Sequence, residues 1–341
     1  MASHRRPKQP GRARVTVLTA TAAAAVALTS QTAQADPKPS KSEVKAKVDK
    51  LYEEAEKATE KFNGAQERQD KLQKQVDALQ DKVARGQGEL NELRDSLGSV
   101  ASAQYRSGGM DPALQLLLSS DPDSYLDKAS TLEQLGAKQA EAIADIQAKQ
   151  RTLAQQRKEA QQTLGDLADT RTLLGGKKRE VQGKLAAAQK LLNSLSAQER
   201  AEIKEEETRA NRTSQRADLG KTASASNRAA AAFAAGQSKI GTPYVYGASG
   251  PNSFDCSGFT SWAFAQANVS IPRTSQAQAN IGQRIYQQSD LKQGDLVFFY
   301  NDLHHVGFYA GNGQILHSPR TGAVVRYESI NNMPFQFGVR V

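Results

Sequence analysis

Residues 254–267 read FDCSGFTSWAFAQA and hold the one cysteine among 341 residues. Asp255 stands where a helix N-cap belongs, Cys256 falls in the first turn, and Phe259, Trp262, Ala263 and Phe264 give the buried face of a helix from Cys256 to Asn268. The positive end of the helix dipole and its unpaired N–H groups favour thiolate over thiol, so Cys256 is expected to be a largely ionised nucleophile near neutral pH. The bland alternative is a buried, inert cysteine behaving as a small hydrophobe.

Downstream, short runs rich in β-branched and aromatic residues read as antiparallel strands: Gly294–Tyr300, His305–Ala310, Gln314–Ser318, Ala323–Ser329 and Phe337–Val341. A helix near Ala229–Lys239 precedes the cysteine helix. Helices first and strands after predict an α+β domain from residue 228 to 341. Six of the nine tyrosines of the chain fall in it, at Tyr244, Tyr246, Tyr286, Tyr300, Tyr309 and Tyr327.

A nucleophilic cysteine needs a base, and the domain offers His304, His305 and His317. Strand alternation lets only one of His304 and His305 address a given site. A hairpin turning through Gly311, Asn312 and Gly313, with Ala310 opposite Gln314, places Gly307 opposite His317 and makes His305 and His317 diagonal neighbours on one face. Slipping the register by one residue would turn His317 away. Cys256 as nucleophile, His305 as base and His317 as its orienter follow the logic of papain-like acyl transfer. Two histidines could instead hold a metal, but zinc wants a third protein ligand, and neither Asp302 nor Cys256 gives a recognisable spacing. No metal and no cofactor are therefore expected.

Upstream, residues 36–207 are rich in Ala, Gln, Lys, Glu, Leu and Arg. Apolar residues alternate steps of four and three from Val44 to Val100, interrupted only at Gln69 and Gly86, and the pattern resumes from Leu132 to Leu195. Eight heptads of this period predict a coiled coil, its first helix roughly 90 Å long at 1.5 Å per residue. Asp111-Pro112 and Asp121-Pro122 frame a short apolar helix, Ala113–Leu118, at the tip of an antiparallel helical hairpin. Residues 208–227 are small and polar and read as a flexible linker.

The first 35 residues carry five basic groups and no acid, then an uncharged run from Val15 to Leu28 and a small-x-small site at Ala33–Ala35. That is the order of a secretory signal peptide, too short in its apolar part for a stable membrane span. Without those residues the formal charge falls from +9 to +4, with 40 Lys and Arg against 36 Asp and Glu. No nucleic-acid footprint remains. The chain is expected to be secreted, associated with the cell wall, and free of internal disulfides.

The segments GTPYVYGASGPNSFDCSGFTSWAF, IPRTSQAQ, LKQGDLVFFY and HHVGFYAGNGQILHS together resemble the NlpC-like family of bacterial cell-wall cysteine peptidases, which have a papain-like fold and cut peptidoglycan stem peptides. The resemblance places the family's nucleophile on Cys256, its base on His305 rather than His304, and its third polar residue on His317. It places the family's "PY" tyrosine on Tyr244, near the nucleophile. Ala248 departs from a second glycine and Ser318 from a common alanine. The implied reaction is hydrolysis of the D-γ-glutamyl–diaminopimelyl bond, with Asp255, Arg273 and Ser275 as contacts for the peptide's amine and carboxylate, although Arg273 equally suits a surface ion pair. The helical half resembles the arms of division-associated wall hydrolases, which bind the membrane complex FtsEX or cover the active site. A CHAP-type wall amidase and a non-catalytic divisome adaptor are the competing identities.

Overall fold

The computed structural model describes residues 40–106, 114, 118, 125–214, 216–220 and 223–341. The signal-like segment 1–35 lies outside them. So does the short tip helix, except Leu114 and Leu118, which are exposed and joined by an N–H···O bond of 3.1 Å.

The heptad region forms two long helices, α1 (Lys41–Arg106) and α2 (Tyr125–Asn193), paired antiparallel. Seam residues Val48, Val76, Leu79 and Leu90 on α1 and Leu153, Leu167 and Val181 on α2 are buried. Arg171 donates to Gln73 at 2.9 Å, Arg157 to Gln87 at 2.7 Å, and Lys149 pairs with Glu89, so partners on α1 advance as those on α2 recede. Gly86 breaks the heptad where a Cβ would already meet the Leu153 side chain at 3.4 Å.

The expected linker is shorter than its composition suggests. Helix α3 (Ala197–Ser214) runs through Thr208 to Ser214, and Ala225 then donates to the Gln293 carbonyl at 2.9 Å. Small polar residues are poor evidence against a helix when a partner surface holds it. Here Arg326 takes that role, binding Glu207 and, at 2.8 Å, Asn211.

The remaining chain is α+β, in the papain-like order that the sequence implied. Helix α4 (Asn227–Gln237) is capped by Ser226, α5 (Cys256–Gln266) by Asp255, and a single turn α6 (Ser275–Gln278) by Thr274. Strands β1 (Gln283–Ile285), β2 (Leu296–Phe299), β3 (His305–Gly311), β4 (Gln314–His317), β5 (Arg326–Ser329) and β6 (Phe335–Arg340) form one antiparallel sheet in the order β1-β6-β2-β3-β4-β5. Val306, Phe308 and Ala310 of β3 join the cluster beneath α4 and α5, and Phe308 meets the rings of Phe233, Phe259 and Phe264 at 5.6–6.1 Å. Each buried phenylalanine contributes about 1.5–3 kcal/mol, which fixes the cysteine helix against the histidine strand.

The β3–β4 hairpin differs by one residue from the expected turn. Gly311, not Ala310, lies opposite Gln314, and Ala310 is bulged. Asn312 and Gly313 both take positive φ, at 50° and 68°, as a two-residue hairpin turn requires, and the bulge absorbs the extra residue. The register beyond it is unaffected: Phe308 pairs with Leu316, so Gly307 comes opposite His317.

Candidate active site

The site grows from the capping residue of α5. The fully buried Asp255 carboxylate accepts the Gly258 N–H at 2.7 Å and the Gly247 N–H at 3.0 Å. Arg273 grips the same carboxylate in bidentate fashion, at 3.0 and 2.6 Å, and donates to Ser257 Oγ at 2.8 Å. Arg273 is therefore part of a buried network rather than a surface pair. Ser275 Oγ donates to the Leu303 carbonyl at 2.6 Å, tying α6 to the loop before β3.

His305 lies at the start of β3 and His317 at the end of β4. His305 Nε2 and His317 Nδ1 are 2.7 Å apart, with the rings perpendicular. Room for this comes from Gly307, where a Cβ would lie 2.8 Å from that of His317. With Nε2 engaged by His317, Nδ1 of His305 is the ring nitrogen left for another partner. His317 Nε2 sits 3.7 Å from a Glu328 oxygen, too long for a hydrogen bond. Burial lowers the His317 pKa, whereas His317 and Arg326 outweigh burial at Glu328 and hold its carboxyl far below the usual range. His304 points elsewhere, bonded to Asp302 through Nδ1 and stacked on Tyr300 at 4.1 Å. Tyr244 is buried near the nucleophile, and burial, reinforced by Glu56 and Cys256, raises its phenol pKa.

Helix α1 lies directly against this site. Glu56 Oε1 is 3.1 Å from His305 Nδ1. Glu60 accepts from Ser257 Oγ at 2.6 Å, from the Ser275 N–H at 2.7 Å and from Cys256 Sγ at 3.7 Å. Asn63 donates to Asp255 at 3.0 Å, and Phe62 meets Tyr246 edge-on at 6.2 Å. Glu56, Glu60 and Asn63 recur at i, i+4 and i+7, a polar stripe beside the alanines of the seam. On a coiled coil such a stripe reads as a solvated face, and only the buried alanines Ala55 and Ala58 hint at something closely packed. Ser257 and Glu328 were also invisible in the sequence, since their roles depend on Arg273 and His317 from distant segments.

The docked helix reverses the expected state of the thiol. Cys256 is 1% exposed, and burial, then Glu60, Glu56 and Asp255, push its pKa well above the ordinary thiol value. The helix dipole is worth about 0.3–1 kcal/mol and cannot offset full desolvation among carboxyl groups. Glu60 itself is raised to about 7 by burial and by Asp255.

A helix-start cysteine, a strand histidine and a polar residue behind it define a papain-like cysteine-nucleophile site. Residues 241–339 match the NlpC/P60 family. A probable endopeptidase of Corynebacterium glutamicum is 46% identical over 124 residues, covering 36% of this chain and 59% of that protein. A probable endopeptidase of Mycobacterium tuberculosis is 46% identical over 88 residues, covering 26% of this chain and 23% of that one. The solved NlpC/p60 domain of the peptidoglycan hydrolase SagA is 35% identical, with 33% of this chain and 98% of that chain covered and a TM-score of 0.32. The chain spans 59% and 23% of the length of these two curated relatives.

Proposed function

We propose that the protein is a secreted, cell-wall-associated peptidoglycan hydrolase that cuts a stem-peptide amide bond, D-γ-glutamyl–diaminopimelyl in first place, and that helix α1 holds it latent. The 2.7 Å contact between His305 and His317, set beside the start of α5, carries the chemistry. With α1 withdrawn, the Cys256 thiol gives its proton to His305 Nδ1 and Sγ attacks the carbonyl carbon. N–H groups at the start of α5 face the developing oxyanion. His305 then protonates the leaving amine as the C–N bond breaks, and water hydrolyses the thioester. His305 Nε2–H donates to His317 Nδ1, which leaves the Nε2–H of His317 toward Glu328 and holds the base in the productive tautomer.

Glu56 and Glu60 occupy the space beside the base and the nucleophile that a peptide would need, which favours the latent reading. A membrane division complex such as FtsEX would be the partner that draws the arm away; no helix among the described residues is itself long and apolar enough to cross a membrane. The test is muropeptide mass spectrometry after digestion of purified wall. Cleavage should rise when residues 36–207 are deleted, fall when the isolated arm is added back, and drop by about 10²–10⁴ in His305→Ala. Equal specific activity of the intact chain and the domain from Arg228 would reject latency. Wall digestion surviving Cys256→Ala would reject the enzyme mechanism.

A further inference from the structure

We propose that docking of α1 creates a site for one thiophilic divalent cation, Zn²⁺ in first place, ligated by Cys256 Sγ, His305 Nδ1 and the Glu56 carboxylate. Their ligand atoms all lie within 4.8 Å of one another, and all three residues are buried. Zinc bonds of about 2.0–2.3 Å place tetrahedral ligand atoms roughly 3.3–3.7 Å apart, so side-chain shifts of about half an ångström close the set. The Glu56 and His305 atoms are already 3.1 Å apart. Glu60 Oε1, 3.7 Å from the sulfur, stands at the remaining side.

The surroundings suit a metal in three further ways. His305 has its other nitrogen bonded to His317 at 2.7 Å, the outer-shell contact that fixes a ligating imidazole. The donor set of sulfur, nitrogen and oxygen selects zinc over magnesium or calcium. Among the described residues, no lysine or arginine makes an ion pair with Glu56 or Glu60, while Arg273 is engaged by Asp255. Two carboxyl groups thus lie beside the sulfur with no paired lysine or arginine, and Glu56 meets the His305 ring instead. A cleft of about 820 Å³, lined by Glu56, His317, Tyr300 and Glu328, opens on the Glu56 side of the site. Binding displaces the thiol proton to solvent and forms the metal–sulfur bond, so the ion would tie both catalytic residues to the arm.

This proposal rests on the latent state described above, and its readout needs no wall substrate. The intact chain, reduced and freed of metal by a chelator, is titrated with Co²⁺ and then Zn²⁺. One Co²⁺ per chain with a thiolate-to-cobalt charge-transfer band is expected, lost in Cys256→Ser and displaced by Zn²⁺. Glu56→Gln should weaken binding by at least about tenfold while Glu89→Gln on the distal arm leaves it unchanged. Absence of the sulfur–cobalt band, or a Glu56→Gln affinity equal to the parent, would overturn the site. Should Glu56→Gln lose helical circular dichroism, hydrogen exchange of the parent chain decides. Zn²⁺ must then slow exchange of α1 amides around Glu56, and no slowing rejects the proposal. Failure here with activation on arm deletion would leave latency standing without a metal.

Discussion

From Lys41 to Ala65, helix α1 buries Glu56, Thr59, Glu60 and Asn63 together with Val44, Val48, Ala55, Ala58 and Ala65; from Gln66 to Arg106, its buried side chains are Val76, Leu79 and Leu90. Both halves keep the same heptad and pack on the same partner helix. The distal half has one buried face and the proximal half has two. A heptad specifies that a seam exists, but a second buried face specifies a particular surface, here the mouth of the cysteine site.

The largest expected effect sets the two halves against each other directly. Glu60→Lys removes the acceptor of Ser257 and Ser275 and brings a cation toward Arg273, a loss of about 3–5 kcal/mol of docking. Iodoacetamide should then label Cys256 at least about a hundredfold faster. Glu89→Lys, at the exposed pair with Lys149, should cost about 0–1 kcal/mol and leave labelling unchanged. Equal labelling in both variants would erase the distinction between the halves.

Next in size, Leu90→Ala should destabilise the hairpin by about 2–5 kcal/mol in thermal unfolding while labelling of Cys256 stays within about twofold. Rapid labelling would mean that seam and docking unfold as one unit. The smallest effect is a pH slope. Glu60 is raised from 4.5 to about 7 in the docked form, so docking takes up a proton between those values. Docking is strongest below about 4.5 and weakens as pH rises through 7, by up to ~1.4 kcal/mol per unit. In chelator-treated protein, the urea midpoint for arm release should fall over that window, and Glu60→Gln should flatten it. A midpoint that rises with pH would contradict the burial of Glu60.

Local rules carried the sequence reading far within the domain. Cys256 was legible because Asp255 and the apolar spacing of α5 mark a helix start. His305 and His317 were legible because strand alternation and the Asn312-Gly313 turn fix which side chains meet, even with the bulge at Ala310 unforeseen. Strand β1 escaped because Gln283 and Arg284 are exposed on an edge strand of three residues and carry no alternation. Helix α3 was cut short because its last turns depend on Arg326, more than a hundred residues away. The protonated state of Cys256 was missed for the same reason: its surroundings come from Glu56 and Glu60, nearly two hundred residues upstream, on a stripe that solvent would satisfy equally well.

The length of α1 has a mechanical consequence. Lys41 and Lys45 tether its base to Glu202 and Glu206 of α3. At 1.5 Å per residue, Glu60 lies about 24 Å beyond Val44 and Arg106 about 93 Å beyond it. Pivoting there as a stiff rod, the arm is a lever of roughly fourfold ratio. A sideways pull of about 10 Å at the far end moves Glu60 by about 2.5 Å, comparable to its 2.6 and 2.7 Å bonds to Ser257 and Ser275. A small force applied far from the cleft thus does the work that a direct competitor for Glu60 would need several kcal/mol to do.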